Sequence, residues 1–143
     1  TLNFKHILSR INFAYIPGNT NLIFYSNEYV IHQIISNLLH NALKFTMNGE
    51  VELKYEVDEK EEKLYFYVRD TGPGVSSELK EKIFERFYKV DSFVPGAGLG
   101  LALCRILAER IGARIYLDDN YHPGCLFVVE HPLRQSAPER NEE

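Results

Sequence analysis

The sequence predicts an α/β fold: a two-layer sandwich with a mixed sheet of about five strands and three helices on one face. Three stretches carry that prediction. The first is a long helix over about residues 27–46. At about 100° per residue it collects Ile31, Ile34, Ile35, Leu38, Ala42 and Phe45 on one side. The second is a hairpin in which Val51, Leu53, Tyr55 and Val57 alternate with Glu52, Lys54, Glu56 and Asp58. The third is an amphipathic helix, Leu101 to Ile111, followed by two closing strands.

Composition narrows the class. With 143 residues, 45% hydrophobic and 25% charged, the chain suits a single domain with a real core. A net charge of −4 gives no general attraction for nucleic acid or anionic lipid, so any positive site is local. No apolar run approaches the roughly 18–20 residues of a membrane span, and no signal peptide opens the chain. Cys104 and Cys125 lack metal spacing and read as small core residues in a reducing, cytoplasmic setting. The chain starts without Met inside a pattern, as a fragment of a longer protein does. Residues 1–133 are expected to form the domain and 134–143 a polar, disordered tail.

In chain order, residues 3–9 read as the end of a helix. Ile11–Ile16 and Leu22–Tyr25 read as strands around a turn at Pro17-Gly18-Asn19. Ser26 or Asn27 caps the long helix, which stops before Asn48-Gly49. Beside its apolar side runs a second stripe, Gln33, Asn37, Asn41 and Lys44, with Asn41 at the border. A solvated face would more usually carry Glu and Lys pairs. Asn inside a helix costs stability, because its short side chain competes for the backbone.

On the return strand, Leu64, Phe66 and Val68 share a face, and Asp70 has the same parity. A carboxylate ending an apolar face is a candidate buried charge, and it needs a partner. Thr71-Gly72-Pro73-Gly74 breaks that strand. Ser76 or Ser77 caps a short helix running to Phe84. An irregular stretch from Glu85 to Ala97 follows, holding Arg86, Lys89 and Pro95. Gly96-Ala97-Gly98-Leu99-Gly100 leads into the second long helix, which Gly112 ends. Strands at about 113–117 and 125–130 close the domain.

Three features suit one ligand. Asn oxygens can ligate Mg²⁺, which shares its oxygen donors with phosphates, and Lys44 is a point charge for a phosphate. Asp70 can accept a hydrogen bond from an amino group such as adenine N6, while the glycines after it let a ring lie against the backbone. The glycine run opening a helix offers N–H groups and a dipole to anions, though it is neither a Walker loop nor G-x-G-x-x-G after a strand. Singly, each has a plainer reading: a half-buried polar stripe, a strand end with its turn, a loop before a helix.

In combination they resemble the GHKL superfamily, and within it the catalytic ATP-binding domain of sensor histidine kinases, which has the Bergerat fold. The resemblance covers about residues 20–133. The N box is Asn37-Leu38-Leu39-His40-Asn41-Ala42-Leu43-Lys44-Phe45-Thr46 and the G1 box Asp70-Thr71-Gly72-Pro73-Gly74. The F box is Phe84-Glu85-Arg86-Phe87-Tyr88, and the G2 box Gly96-Ala97-Gly98-Leu99-Gly100-Leu101. Gly124-Cys125-Leu126-Phe127 is similar to the family's Gly-[Ser/Thr]-x-Phe strand.

The resemblance implies roles. Asn41 ligates Mg²⁺ with Asn37 nearby, Lys44 touches the phosphates, and these three form the catalytic set. Phe45 lies beside the nucleotide. Asp70 binds adenine N6, and Gly72 and Gly74 border the base. Residues 85–97 form a flexible ATP lid, and Gly96, Gly98, Leu99 and Gly100 meet the phosphates, with Arg86 and Lys89 as further contacts. Cys125, where the family has Ser/Thr, borders Asp70; a thiol donates poorly, which weakens the water network there. Gyrase-type and chaperone-type relatives carry a general-base Glu four residues before the metal Asn. Here that residue is Asn37, and an amide takes no proton at neutral pH, which favours phosphoryl transfer over hydrolysis.

None of His6, His32, His40, His122 or His131 sits in the family's phosphoacceptor context. The implied function is therefore transfer of the ATP γ-phosphate to a His on a separate helical dimerisation domain of the parent kinase, and from there to a response regulator. The implied cofactors are ATP and Mg²⁺. The fragment is expected to be monomeric and cytoplasmic, with no nucleic-acid or membrane contact of its own. Two alternatives are a GHKL protein-serine kinase of the anti-sigma type and a nucleotide-binding regulatory module that never transfers phosphate.

Overall fold

The computed structural model describes residues 11–16, 26–46, 49–86, 88, 100–118 and 120–133. Their elements are β1 (Ile11–Ile16), α1 (Glu28–Phe45), β2 (Gly49–Asp58), β3 (Lys63–Asp70), α2 (Gly100–Arg110), β4 (Arg114–Leu117) and β5 (Leu126–Pro132). The expected strand at 22–25, the turn at 17–19, the helix end at 3–9, most of the lid and the tail lie outside the described residues.

The described residues form a five-stranded sheet in the order β1-β2-β3-β5-β4. β1 pairs parallel with β2, and the other pairs are antiparallel, so the sheet is mixed. A parallel neighbour requires a crossover, and α1 supplies it. The expected two-layer α/β sandwich is what the chain forms.

α1 starts where Asn27 caps it, its Oδ1 accepting the Val30 N–H at 3.1 Å. Ser26, the other candidate cap, instead lies 2.8 Å from Nε2 of His131. The apolar stripe of α1 buries Ile34, Ile35, Leu38, Leu39 and Ala42. They pack with Cys104 and Ala108 of α2 and with Val51, Val68, Ile115, Leu117, Phe127 and Val129 of the sheet. Each Val, Leu, Ile or Phe side chain among them contributes about 1.5–3 kcal/mol by leaving water. α2 ends in a Schellman-type closure at Gly112 (φ 74), with Ala113 N–H donating to Ala108 O at 2.8 Å.

The expected helix from Ser76 or Ser77 to Phe84 is corrected. Two 3₁₀ turns, Ser77–Leu79 and Lys82–Phe84, occupy this stretch, so the described residues hold two α-helices. Ser76 occupies the capping position without a side-chain bond. The segment is too short to repay helix nucleation, and it buries only Ile83 and Phe84, which anchor it. Phe84 meets Phe127 edge to face, with centroids 6.1 Å apart.

Among the described residues the other side of the sheet carries no helix and is correspondingly polar. Tyr65, Tyr67 and Arg69 of β3 point there, opposite in parity to Leu64, Val68 and Asp70. Arg69 Nη2 donates to Glu50 at 3.1 Å and to Glu52 at 3.3 Å. Glu130 gathers Lys63 and Arg114 on the same side.

Candidate functional site

Asp70 ends β3 on the helix-covered face and is 3% exposed. Its Oδ1 accepts two backbone N–H groups, from Gly72 at 2.9 Å and Cys125 at 3.2 Å. Among the described residues no hydrogen bond reaches Oδ2. Burial pushes the carboxyl above its ordinary value, against the pull of those two N–H groups and the Arg69 charge. The result is a sunken acceptor with one oxygen held and the other without a hydrogen bond from the described residues.

Gly72 docks this turn onto the end of α1. A Cβ there would lie 3.1 Å from Asp70 Oδ1 and from the Phe45 carbonyl, and 3.2 Å from Thr46 Oγ1. A side chain there would push the strand end and the helix end apart by a few tenths of an ångström. Behind Asp70, a Cβ on Gly124 (φ +93) would collide with the Asp70 main-chain oxygen. Residues 46, 72 and 124, distant in sequence, thus meet around one carboxylate.

The amide stripe reaches this place along α1. Gln33, Asn37 and Asn41 are half-buried and Lys44 is exposed. Asn37 Oδ1 accepts from Gln33 Nε2 at 3.2 Å, and the Cys104 thiol of α2 donates to the Ile34 carbonyl of α1 at 3.7 Å. Asn41 has no hydrogen-bond partner among the described residues. Phe45 is half-buried next to the Gly72 turn. The Cys125 thiol is pushed up to about 12, first by burial and then by the Asp70 charge, so it stays protonated.

Gly74 (φ 78) borders the same turn, facing the Gly124 carbonyl. Arg86 is exposed just past the second 3₁₀ turn. Gly100 opens α2, and a Cβ there would meet none of the described residues within 4 Å. Lys89, Gly96, Gly98 and Leu99 lie outside the described residues. His32 and His40 are on the surface.

Sequence reasoning gave no role to Thr46, which is 2% exposed with its Oγ1 unpartnered beside Gly72, or to Tyr121, whose hydroxyl reaches Asp70. Only the place of Thr46 at the end of the amide helix could have flagged it. Nothing in the sequence singles out Tyr121.

A mixed sheet covered by helices, with a carboxylate sunk between a glycine turn and a helix end, sets the class: a two-layer α/β domain with a buried acceptor at a strand end. A family profile described as "Histidine kinase-, DNA gyrase B-, and HSP90-like ATPase" matches residues 26–135, and the chain belongs to that family. The sensor protein SrrB of Staphylococcus aureus is 35% identical over 104 residues, which are 70% of this chain but 18% of SrrB. The chain therefore spans under a fifth of that relative. Full-length ShkA in complex with AMPPNP matches with a TM-score of 0.82 and 30% identity, over 94% of this chain and 28% of ShkA. The catalytic domain of histidine kinase ThkA, nucleotide-free, matches with a TM-score of 0.78 and 31% identity, over 92% of this chain and 83% of that domain. ThkA is also known in complex with the response regulator protein TrrA. The resemblance to histidine-kinase catalytic domains stated from the boxes is borne out.

Proposed function

We propose that this chain binds Mg-ATP as the catalytic domain of a sensor histidine kinase. It passes the γ-phosphate to a His on a separate helical dimerisation domain, from which a response regulator takes it. The observation that carries this reading is the Asp70 carboxylate, held through Oδ1 by two N–H groups and open at Oδ2. An acceptor-only group there takes the adenine amino group and repels the guanine carbonyl. Gly72 and Gly74 border the base, and Phe45 lies beside it. Cys125 holds the carboxylate through its N–H, not its thiol.

Lys44, Arg86 and Lys89 meet the phosphates, together with Gly96, Gly98, Leu99 and Gly100 in the lid and at the start of α2. A half-buried Asn41 oxygen with no described partner fits a hard divalent cation. Among the described residues no three His, Cys, Asp or Glu side chains cluster as a metal site, so the remaining ligands would be phosphate and water. Held by Asn41, Mg²⁺ would supply charge neutralisation to the phosphates.

Asn37 separates transfer from hydrolysis. Its oxygen is engaged by Gln33 and its amide takes no proton, so Asn37 activates no water. Positioning and charge stabilisation then await an incoming imidazole. Among the described residues no helix is long and apolar enough to cross a membrane.

The deciding experiment mixes the chain with labelled Mg-ATP and a separately made His-bearing helical hairpin of its parent. Acid-labile, base-stable label on the hairpin is expected. Tight ATP binding without transfer would instead make the domain a regulatory module.

A further inference from the structure

Tyr121 belongs to the β4–β5 loop, 51 residues from the strand end it touches. Its hydroxyl lies 3.3 Å from the Asp70 main-chain oxygen and 3.1 Å from Arg69 Nη1. A guanidinium N–H only donates, so the Tyr121 oxygen accepts it and turns its own proton to Asp70. Arg69 is itself held by Glu50 and Glu52 on β2.

The ladder explains why this matters. Arg69 pairs with Leu126, so the next pair sets Asp70 opposite Cys125. Asp70 N–H donates to the Cys125 carbonyl at 2.9 Å, as in a hydrogen-bonded antiparallel pair. The return bond of such a pair runs from Cys125 N–H to the Asp70 main-chain oxygen. Here the Cys125 N–H goes to the carboxylate Oδ1 instead. The main-chain oxygen it leaves behind is taken by Tyr121.

We propose that Tyr121 is a positioning residue for purine recognition: by occupying the Asp70 carbonyl, its hydroxyl releases the Cys125 N–H to hold the Asp70 carboxylate. This rests on Asp70 being the adenine acceptor. Without the hydroxyl, the buried carbonyl lacks a donor and draws the Cys125 N–H back. The carboxylate then keeps only the Gly72 N–H and swings out of line with the purine amino group. Neither Tyr121 nor Arg69 needs to touch the nucleotide.

The test measures dissociation constants of the chain for ATP and for inosine triphosphate, which carries a carbonyl in place of the amino group. Tyr121→Phe is expected to weaken ATP by about 5- to 10-fold, the worth of one buried hydrogen bond, and to leave inosine triphosphate unchanged. The Asp70 carboxyl, followed by carbon NMR, is expected to titrate at higher pH than in the wild type. An unchanged ratio of the two constants in folded Tyr121→Phe overturns the proposal. If that variant does not fold, the wild type decides: a through-hydrogen-bond NMR coupling from the Cys125 amide to the Asp70 carboxylate carbon is expected, and a coupling to the Asp70 main-chain carbonyl instead overturns the proposal. Asp70→Asn separates the two levels. Unchanged ATP binding there would overturn the adenine reading itself, whereas its loss alongside an unchanged Tyr121→Phe ratio removes Tyr121 alone.

Discussion

Cys125 and Asp70 face each other at the end of the β3–β5 ladder, and only one of their two expected backbone bonds forms. Asp70 N–H donates to the Cys125 carbonyl at 2.9 Å, while Cys125 N–H passes over the Asp70 carbonyl to reach its carboxylate at 3.2 Å. A strand end thereby becomes a fixed, buried acceptor. The cost is an ionisable group in a place that disfavours its charge.

Replacing that charge tests its use. Asp70→Asn keeps an oxygen for the Gly72 and Cys125 N–H groups but places an amide nitrogen where the purine amino group should donate. ATP affinity is expected to fall by about 10-fold or more, since hydrogen bonds to charged groups are worth about 1.5–3 kcal/mol. Calorimetric titration measures it, with circular dichroism confirming the fold.

The same variant should be more stable than the wild type at neutral pH. Burial raises the folded-state pKa of Asp70 above 3.8, so the folded protein binds its proton more tightly than the unfolded chain does. For this raised acid, the penalty is fully present above the folded pKa and fades as pH falls through it towards 3.8. Asp70→Asn is expected to gain about 1 kcal/mol at pH near 7. Urea melts across the acid range should show the gain shrinking; a gain that grows towards low pH would contradict the sign.

Two glycines should respond in opposite ways. Gly124→Ala meets the Asp70 main-chain oxygen at a φ of +93 and is expected to cost about 1–3 kcal/mol in a denaturant melt. Gly100→Ala enters open space in the first turn of α2 and should leave stability unchanged or raise it by up to about 1 kcal/mol. Loss of ATP affinity in Gly100→Ala would then report on phosphate contact, not folding.

Metal dependence should run through Asn41. Chelating divalent ions is expected to weaken ATP binding to the wild type by about 10-fold. Asn41→Ala should start near that weakened affinity and respond little to the chelator. A full chelator effect in Asn41→Ala would place the ion elsewhere.

What was legible in the sequence was local. The side of α1 that faces the core, the parity that puts Asp70 on the buried face and the Gly112 stop are all written within a few neighbouring residues, because strand and helix periods are properties of a short segment. The 3₁₀ turns at residues 77–84 were misread as one helix for the same reason. The polar pattern there permits either geometry, and the seating of Ile83 and Phe84 against the core selects one. The box motifs carried the rest of the site by resemblance.

Tertiary structure alone decided what surrounds the carboxylate. The N–H that holds Asp70 comes from Cys125, and the hydroxyl that completes its main chain comes from Tyr121. Both partners are set by the register of β3 on β5, a pairing across some fifty residues that no local pattern encodes. The amino-acid order determined that a charge would be buried at the end of β3. The folded sheet determined which groups keep it there, because hydrogen bonds between distant segments exist only once the chain has closed upon itself.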